Sequence, residues 1–340
     1  MPLVSIIVPC YNEQATIHLL LEAICAQTVP THEMEVVIAD GMSTDGTRAA
    51  IAGFQQKHPA LTVRMVDNPR RNIPAALNSA LAAAEGQFIV RLDAHSMPAQ
   101  DYVERCLENL RAGRGENIGG VWEIRPRGTG LIPRAIAVAA AHPLGVGDAL
   151  YRYTEQAGPV DTVPFGAFRR EVFERFGQFD ESLLTNEDYE FNARLRQGGG
   201  KVWLDPRVRS VYFARANLRE LARQYWRYGF WKWRMLRRYP TTLRWRQALP
   251  PLFVLGIGML VILAPFFALA RLALGLALMT YALVLVAGSL PAARRRSDAR
   301  LAAAVPLAIA TMHVCWGAGF LWSMLTGGVG EQPAAAKQQS

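Results

Sequence analysis

The sequence predicts an α/β domain, a parallel sheet covered by helices, followed by an amphipathic segment and a set of membrane-crossing helices. Three observations predict it. From Val4 to about Arg215 short β-branched runs alternate with helical stretches, the pattern of a parallel sheet with helical crossovers. Leu218 to Gln247 interleaves aromatic residues with arginines. Beyond Pro250 the chain turns to long apolar runs.

The strands expected are Val4 to Val8, Glu35 to Ala39, Thr62 to Val66, Phe88 to Leu92, Ile118 to Trp122 and Lys201 to Leu204. Between them, helices are expected over Ala15 to Gln27, Thr47 to His58, Ile73 to Ala84, Asp101 to Arg111 and Glu187 to Gln197. The early strand-helix alternation has the form of a Rossmann-like nucleotide-binding half, whose ligands sit outside the carboxyl ends of the strands. With 340 residues and a net charge of +9, there is room for one sizeable domain and an appendage. Cys10, Cys25, Cys106 and Cys315 show no zinc-like spacing and read as packing residues. The first apolar run, Pro2 to Pro9, has no basic leader and is too short to span a bilayer, so it reads as a buried strand of a cytosolic domain.

Membrane spans are expected at Ala248 to Ala270, Leu272 to Ala293 and Leu301 to about Leu325, each long enough for a hydrocarbon core of roughly 30 Å. Arginines before the first run and the Arg294-Arg295-Arg296 cluster after the second belong on the cytoplasmic side. The segment before the spans suits a helix in the headgroup layer, and its proximity to them favours that reading over a nucleic-acid surface. The organisation is thus residues 1–215 as a cytoplasmic domain, 216–247 as interfacial helices, 248–330 as membrane helices and 331–340 as a tail.

Four motifs carry chemistry. Pro9-Cys10-Tyr11-Asn12-Glu13 is a polar turn leading into a helix, where free N–H groups face an anion and Glu13 accepts from a ribose hydroxyl or a base. Asp40, in Asp40-Gly41-Met42-Ser43-Thr44-Asp45, is suited to a base imide, with the serine, threonine and second aspartate capping the next helix. Asp93-Ala94-His95 places two metal-capable groups at a strand end. Glu187-Asp188 supplies carboxylates at a helix start.

In this order the motifs resemble the family 2 glycosyltransferases, inverting enzymes of the GT-A fold that use nucleotide-diphosphate sugars, over roughly residues 3 to 230. The likeness is to the bacterial exopolysaccharide enzymes of the succinoglycan type. It implies nucleotide contacts from Pro9, Tyr11, Glu13 and Asp40. It also implies that Asp93 and His95 stand where the family's Asp-x-Asp motif holds Mg²⁺ or Mn²⁺ against the diphosphate. His95 replaces a carboxylate there, and a nitrogen ligand tolerates Mn²⁺ better than Mg²⁺. Asp188 matches the general base and Glu187 its neighbour; an inverting displacement needs a carboxylate opposite the departing diphosphate.

Gly166 and Ala167, in Phe165-Gly166-Ala167-Phe168, match donor or acceptor contacts. Arg71 and Asn78 are further candidates for the nucleotide sugar. Gln224, Arg227 and Tyr228 match the Gln-x-x-Arg-Trp motif of processive members, with tyrosine in place of tryptophan; ring stacking on a sugar and a guanidinium fork on phosphate survive that change. The expected function is transfer of a hexose, from UDP-glucose or a similar donor, to a polyprenyl-diphosphate-linked saccharide at the membrane. Two alternatives stay open at this point: a polyprenyl-phosphate monosaccharide synthase, and a membrane-anchored scaffold that binds the nucleotide sugar without turnover.

Overall fold

The computed structural model describes residues 1–183, 185–240 and 244–327. Residues 241–243 of the expected interfacial segment, 328–330 of the expected membrane region and the whole expected tail lie outside the described residues. The chain forms two compact units: Met1–Glu123 with Tyr153–Tyr212, and Ile124–Arg152 with Phe213 onward.

The strands are β1 (Val4–Cys10), β2 (Met34–Asp40), β3 (Thr62–Asp67), β4 (Phe88–Arg91), β5 (Met97–Pro98), β6 (Asn117–Arg125), β7 (Gly158–Pro159), β8 (Ala167–Arg169) and β9 (Val202–Phe213). The helices are α1 (Ile17–Cys25), α2 (Thr47–Lys57), α3 (Ile73–Ala83), α4 (Tyr102–Arg111), α5 (Leu131–Ala140), α6 (Pro143–Val146), α7 (Glu171–Phe176), α8 (Glu187–Gln197), α9 (Leu218–Arg238), α10 (Trp245–Leu263), α11 (Ala268–Arg295) and α12 (Leu301–Leu325).

In the first unit the sheet runs β3-β2-β1-β4-β8-β6-β9-β5, with β7 on β9. The pairs β3-β2, β2-β1 and β1-β4 are parallel. Val4, Ile6, Ile7 and Val8 on β1 and Val36, Val37 and Ile38 on β2 are fully buried, as expected of strands covered on both faces. α1 turns Ile17, Leu20, Leu21 and Ile24 inward, the spacing of one helix face. α3 is capped by Asn72, whose side chain accepts from Ala75 N at 2.9 Å.

The sheet is mixed rather than wholly parallel, because β8 lies antiparallel between β4 and β6. Three residues flanked by Gly166 and Arg170 carry too short a pattern to announce a strand. β9 also extends well past the expected Leu204. Val202, Leu204, Val208 and Ser210 are buried while Arg207 and Arg209 are exposed, so the charges that hid this strand are its outer face.

In the second unit, α10, α11 and α12 are each long and apolar enough to cross a membrane, with mean hydropathy of 1.7, 2.1 and 1.6. The first ends at Leu263, not at Ala270, and the second starts at Ala268, not at Leu272. Pro265 explains the break, since its ring and missing N–H stop a helix. Arg271 then donates back to Ala264 O at 3.0 Å and satisfies a carbonyl left open by the helix end.

Residues 124–152 also differ from the sequence reading, which places them in the N-terminal domain. α5 is buried along Ala135 to Ala140 and packs on α12. Arg134 pairs with Asp298 at 2.8 Å, and His313 Nε2 meets Leu144 O at 2.7 Å. An apolar helix this small needs a larger apolar partner, and α12 supplies it.

The amphipathic α9 likewise lays Leu221, Tyr225 and Met235 in the interior. It crosses α12 with glycine on both sides: a Cβ on Gly229 would lie 1.9 Å from Trp316 O, and one on Gly319 would lie 2.3 Å from Trp226 O. Gly229→Ala or Gly319→Ala is therefore expected to cost about 2 kcal/mol of stability by forcing these backbones apart. Gly258→Ala, whose methyl group meets nothing within 4 Å, is expected to be neutral or slightly stabilising, alanine being the better helix former. Thermal unfolding of the three variants in one detergent checks this, and equal transitions would contradict the crossing.

Candidate active site

The carboxyl ends of β1, β2 and β4 lie side by side, with Cys10 opposite Asp40 and Ile7 opposite Arg91. The loops leaving β1 and β2 are tied to each other. Asn12, at φ +53°, donates its backbone N–H to Ser43 Oγ and accepts from Thr44 N, both at 2.8 Å. Glu13 N donates to Thr47 Oγ1 at 2.8 Å. Tyr11 packs on Gly41, where a Cβ would sit 3.1 Å from its ring. Pro9 stays within β1, paired with Ala39.

Asp40 is fully buried. Its Oδ1 accepts from the Ser43 hydroxyl at 2.5 Å, and its Oδ2 from Ser43 N at 3.0 Å and Arg48 Nε at 2.5 Å. Both oxygens are thus engaged, and Asp40 builds the loop in which a base would lie. Glu13, expected at a ribose or base, has its carboxylate on the Thr16 hydroxyl and, at 3.0 Å, on His95 Nδ1.

Past β4 the chain turns sharply, with Ser96 N donating to Asp93 O at 2.9 Å, and one turn thereby presents both Asp93 and His95. Behind them Arg91 is only 4% exposed. Its Nη2 donates to Glu187 Oε1 at 2.9 Å and approaches Asp93 Oδ1 at 3.4 Å. Glu187 opens α8 behind Asn186, which holds a left-handed φ of 69°. Asp188 follows, half-buried, and its Oδ1 accepts from Tyr189 N at 2.7 Å.

Burial works against the charge of Arg91, but the carboxylates of Asp93, Glu187 and Asp188 outweigh it and hold the guanidinium protonated. Burial pushes the Glu187 carboxyl up to about 7, against the pull of Arg91 and helped by the like charge of Asp188. One buried cation thus joins the strand-end aspartate to the first residue of α8.

Residues 5–177 match the family model for glycosyl transferase family 2. The chain belongs to that family. It is 32% identical over 325 residues to the succinoglycan biosynthesis protein ExoA of Rhizobium meliloti strain 1021, covering 94% of each chain. It is 28% identical to the dolichyl N-acetyl-alpha-D-glucosaminyl phosphate 3-beta-D-2,3-diacetamido-2,3-dideoxy-beta-D-glucuronosyltransferase of Methanococcus voltae, over 75% of this chain and 80% of that one. The fold matches the mannosyltransferase PcManGT of Pyrobaculum calidifontis, solved with GDP-Man and Mn²⁺, with a TM-score of 0.60 and 24% identity over 96% and 88% of the two chains.

In this glycosyltransferase, several expected site residues have partners within the protein, and others are exposed. Asn78 donates to Phe179 O and Glu181 Oε1 and accepts from Phe179 N, each at 3.0 Å, so its amide braces residues 179–181. Ala167 is fully buried within β8. A Cβ on Gly166 would fall 2.6 Å from the Phe168 ring, so the missing side chain lets β8 enter the sheet. Arg71 is exposed at φ +53° on the turn before α3. In the second unit, Gln224 Nε2 donates to Tyr228 Oη at 3.0 Å along α9, while Arg227 is exposed.

Among the described residues no group of three His, Cys, Asp or Glu side chains is poised to hold a metal. Asp93 and His95 supply two donors, which fits a cation completed by diphosphate and water oxygens rather than a closed protein cage. Sequence reasoning missed Arg91. The available signal was a cation inside the apolar run Phe88 to Leu92, since a buried arginine demands carboxylate partners.

Glu187 also makes stability depend on pH. Its folded value lies near 7, above the ordinary 4.5, so its contribution is present below about pH 4.5 and is lost as pH rises through 7. Between pH 5 and 8 the parent enzyme is expected to lose stability relative to Glu187→Gln. Chemical unfolding of both proteins across that range checks the sign, and parallel profiles would contradict it.

Proposed function

We propose that this glycosyltransferase moves a hexose from a nucleotide-diphosphate sugar, with UDP-glucose the donor we favour, to a polyprenyl-diphosphate-linked saccharide in exopolysaccharide assembly. It would work at the cytoplasmic face of the plasma membrane, anchored as a multi-pass protein by α10, α11 and α12. The observation that carries this reading is the pairing of buried Arg91 with both Asp93 and Glu187, the residue that precedes Asp188 on α8. It sets a donor-side carboxylate and a candidate base on one centre. The relatives support the acceptor class, one by its name in succinoglycan biosynthesis and one by its name as a transferase acting on a dolichyl-linked sugar phosphate.

In this reading Asp188 takes the proton from the acceptor hydroxyl as its oxygen bonds to the anomeric carbon and the bond to the diphosphate breaks. Inversion then converts an α-linked donor into a β-linked product. Arg91 holds the base-bearing helix start in line with the strand end. Asp93 and His95 are the residues that would hold Mg²⁺ or Mn²⁺, whose charge neutralises the leaving diphosphate. The two tied loops after β1 and β2 supply the nucleotide's floor.

Asp188→Asn is expected to lower kcat by at least 100-fold, the scale of lost general-base catalysis, while the Kd for UDP with Mn²⁺ stays within about twofold. Transfer from a panel of labelled nucleotide sugars to native lipid extract measures the first and calorimetry the second. Near-parental turnover in Asp188→Asn removes Asp188 as the base. Product formed on polyprenyl phosphate alone would instead favour a monosaccharide synthase.

A further inference from the structure

We propose that Glu13 is a positioning residue for His95: its carboxylate fixes the imidazole tautomer so that Nε2 offers its lone pair to the cation, tuning the site toward borderline ions such as Mn²⁺ and away from Mg²⁺. The inference rests on reading Asp93 and His95 as the groups that meet a cation beside the donor diphosphate.

The geometry begins with the contact at 3.0 Å between Glu13 Oε1 and His95 Nδ1. An ionised carboxylate only accepts, so Nδ1 carries the hydrogen, and in the neutral ring that a cation binds the lone pair is on Nε2. The firmer partner is the carboxylate. Its backbone N–H is held by Thr47 Oγ1 at 2.8 Å, its second oxygen takes the Thr16 hydroxyl, and its side chain is 22% exposed. The imidazole is 58% exposed and projects from the turn that also carries Asp93. The loop after β1 therefore orients a side chain that follows β4, two elements that are neighbours in the sheet.

The chemistry gives this contact a consequence. A carboxylate on the far nitrogen of a ligating histidine raises the basicity of the near one, and loss of such partners costs 10- to 100-fold in metal affinity. Imidazole suits first-row transition ions, whereas Mg²⁺ takes oxygen donors in a strict octahedron. The departure from an Asp-x-Asp motif at His95 thus comes with its own partner, Glu13, from the opposite loop.

The test uses the full-length enzyme in detergent with UDP and Mn²⁺, read by electron paramagnetic resonance for bound ion and for ¹⁴N coupling. The parent is expected to bind Mn²⁺ with imidazole nitrogen coupling, and Glu13→Ala to bind it 10- to 100-fold more weakly. His95→Asp is expected to lose the nitrogen signal and to narrow the preference for Mn²⁺ over Mg²⁺. In that background, adding Glu13→Ala should change Mn²⁺ affinity by less than twofold, which separates positioning from a general structural role. Bound Mn²⁺ without nitrogen coupling in the parent, or equal weakening by Glu13→Ala in both backgrounds, overturns the inference and leaves the proposed function standing. A parent that holds no Mn²⁺ in the presence of UDP overturns the metal reading itself.

Discussion

The first unit is organised by the burial of Arg91. A guanidinium taken out of water costs several kcal/mol unless carboxylates and hydrogen bonds compensate, and here Glu187 meets it at 2.9 Å with Asp93 close by. That demand draws α8, nearly a hundred residues later in the chain, onto the end of β4. The distance between a donor-side aspartate and a base-bearing helix is consequently set in the interior. Hydrophobic burial alone has no direction and would not specify it.

The loops around this centre follow the same economy. Asp40 spends its carboxylate on its own loop, Asn78 on the 179–181 segment, and Asn12 on the neighbouring turn. Buried polar groups that stay paired make a loop rigid. Rigid loops at the strand ends can keep binding groups in place before substrate arrives, which lowers the cost of ordering them. Gly166 serves this rigidity from below: by lacking a Cβ it admits β8 beside β4, and Arg91 N bonds to its carbonyl at 2.9 Å.

Much of this was legible in the linear text, for identifiable reasons. β1, β2 and β4 are apolar runs bounded by polar turns, and the strand-end motifs at Pro9 to Glu13, Asp40 and Asp93 to His95 stand at the carboxyl ends where such sheets bind ligands. The three apolar helices were visible from length and charge, although Pro265 placed their boundary several residues earlier than hydropathy alone implied. Other features depended on long-range pairing that periodicity does not encode. β8 is three residues long, α5 joins the apolar helices through a face completed only by α12, and Gly166 and Ala167 read equally well as a sugar contact or as packing. Asn78 looked available because its partners lie a hundred residues away.

Arg91 and Glu187 acting as one unit is the claim on which the rest depends, and a double-mutant cycle on kcat/KM tests it most directly. Arg91→Lys, Glu187→Gln and the double variant would be measured with one donor and one acceptor. Groups that work together give a double variant no worse than the poorer single one, whereas independent groups give losses that multiply. The account predicts the first result. Multiplied losses would show that the strand end and the helix start contribute separately, and would contradict it.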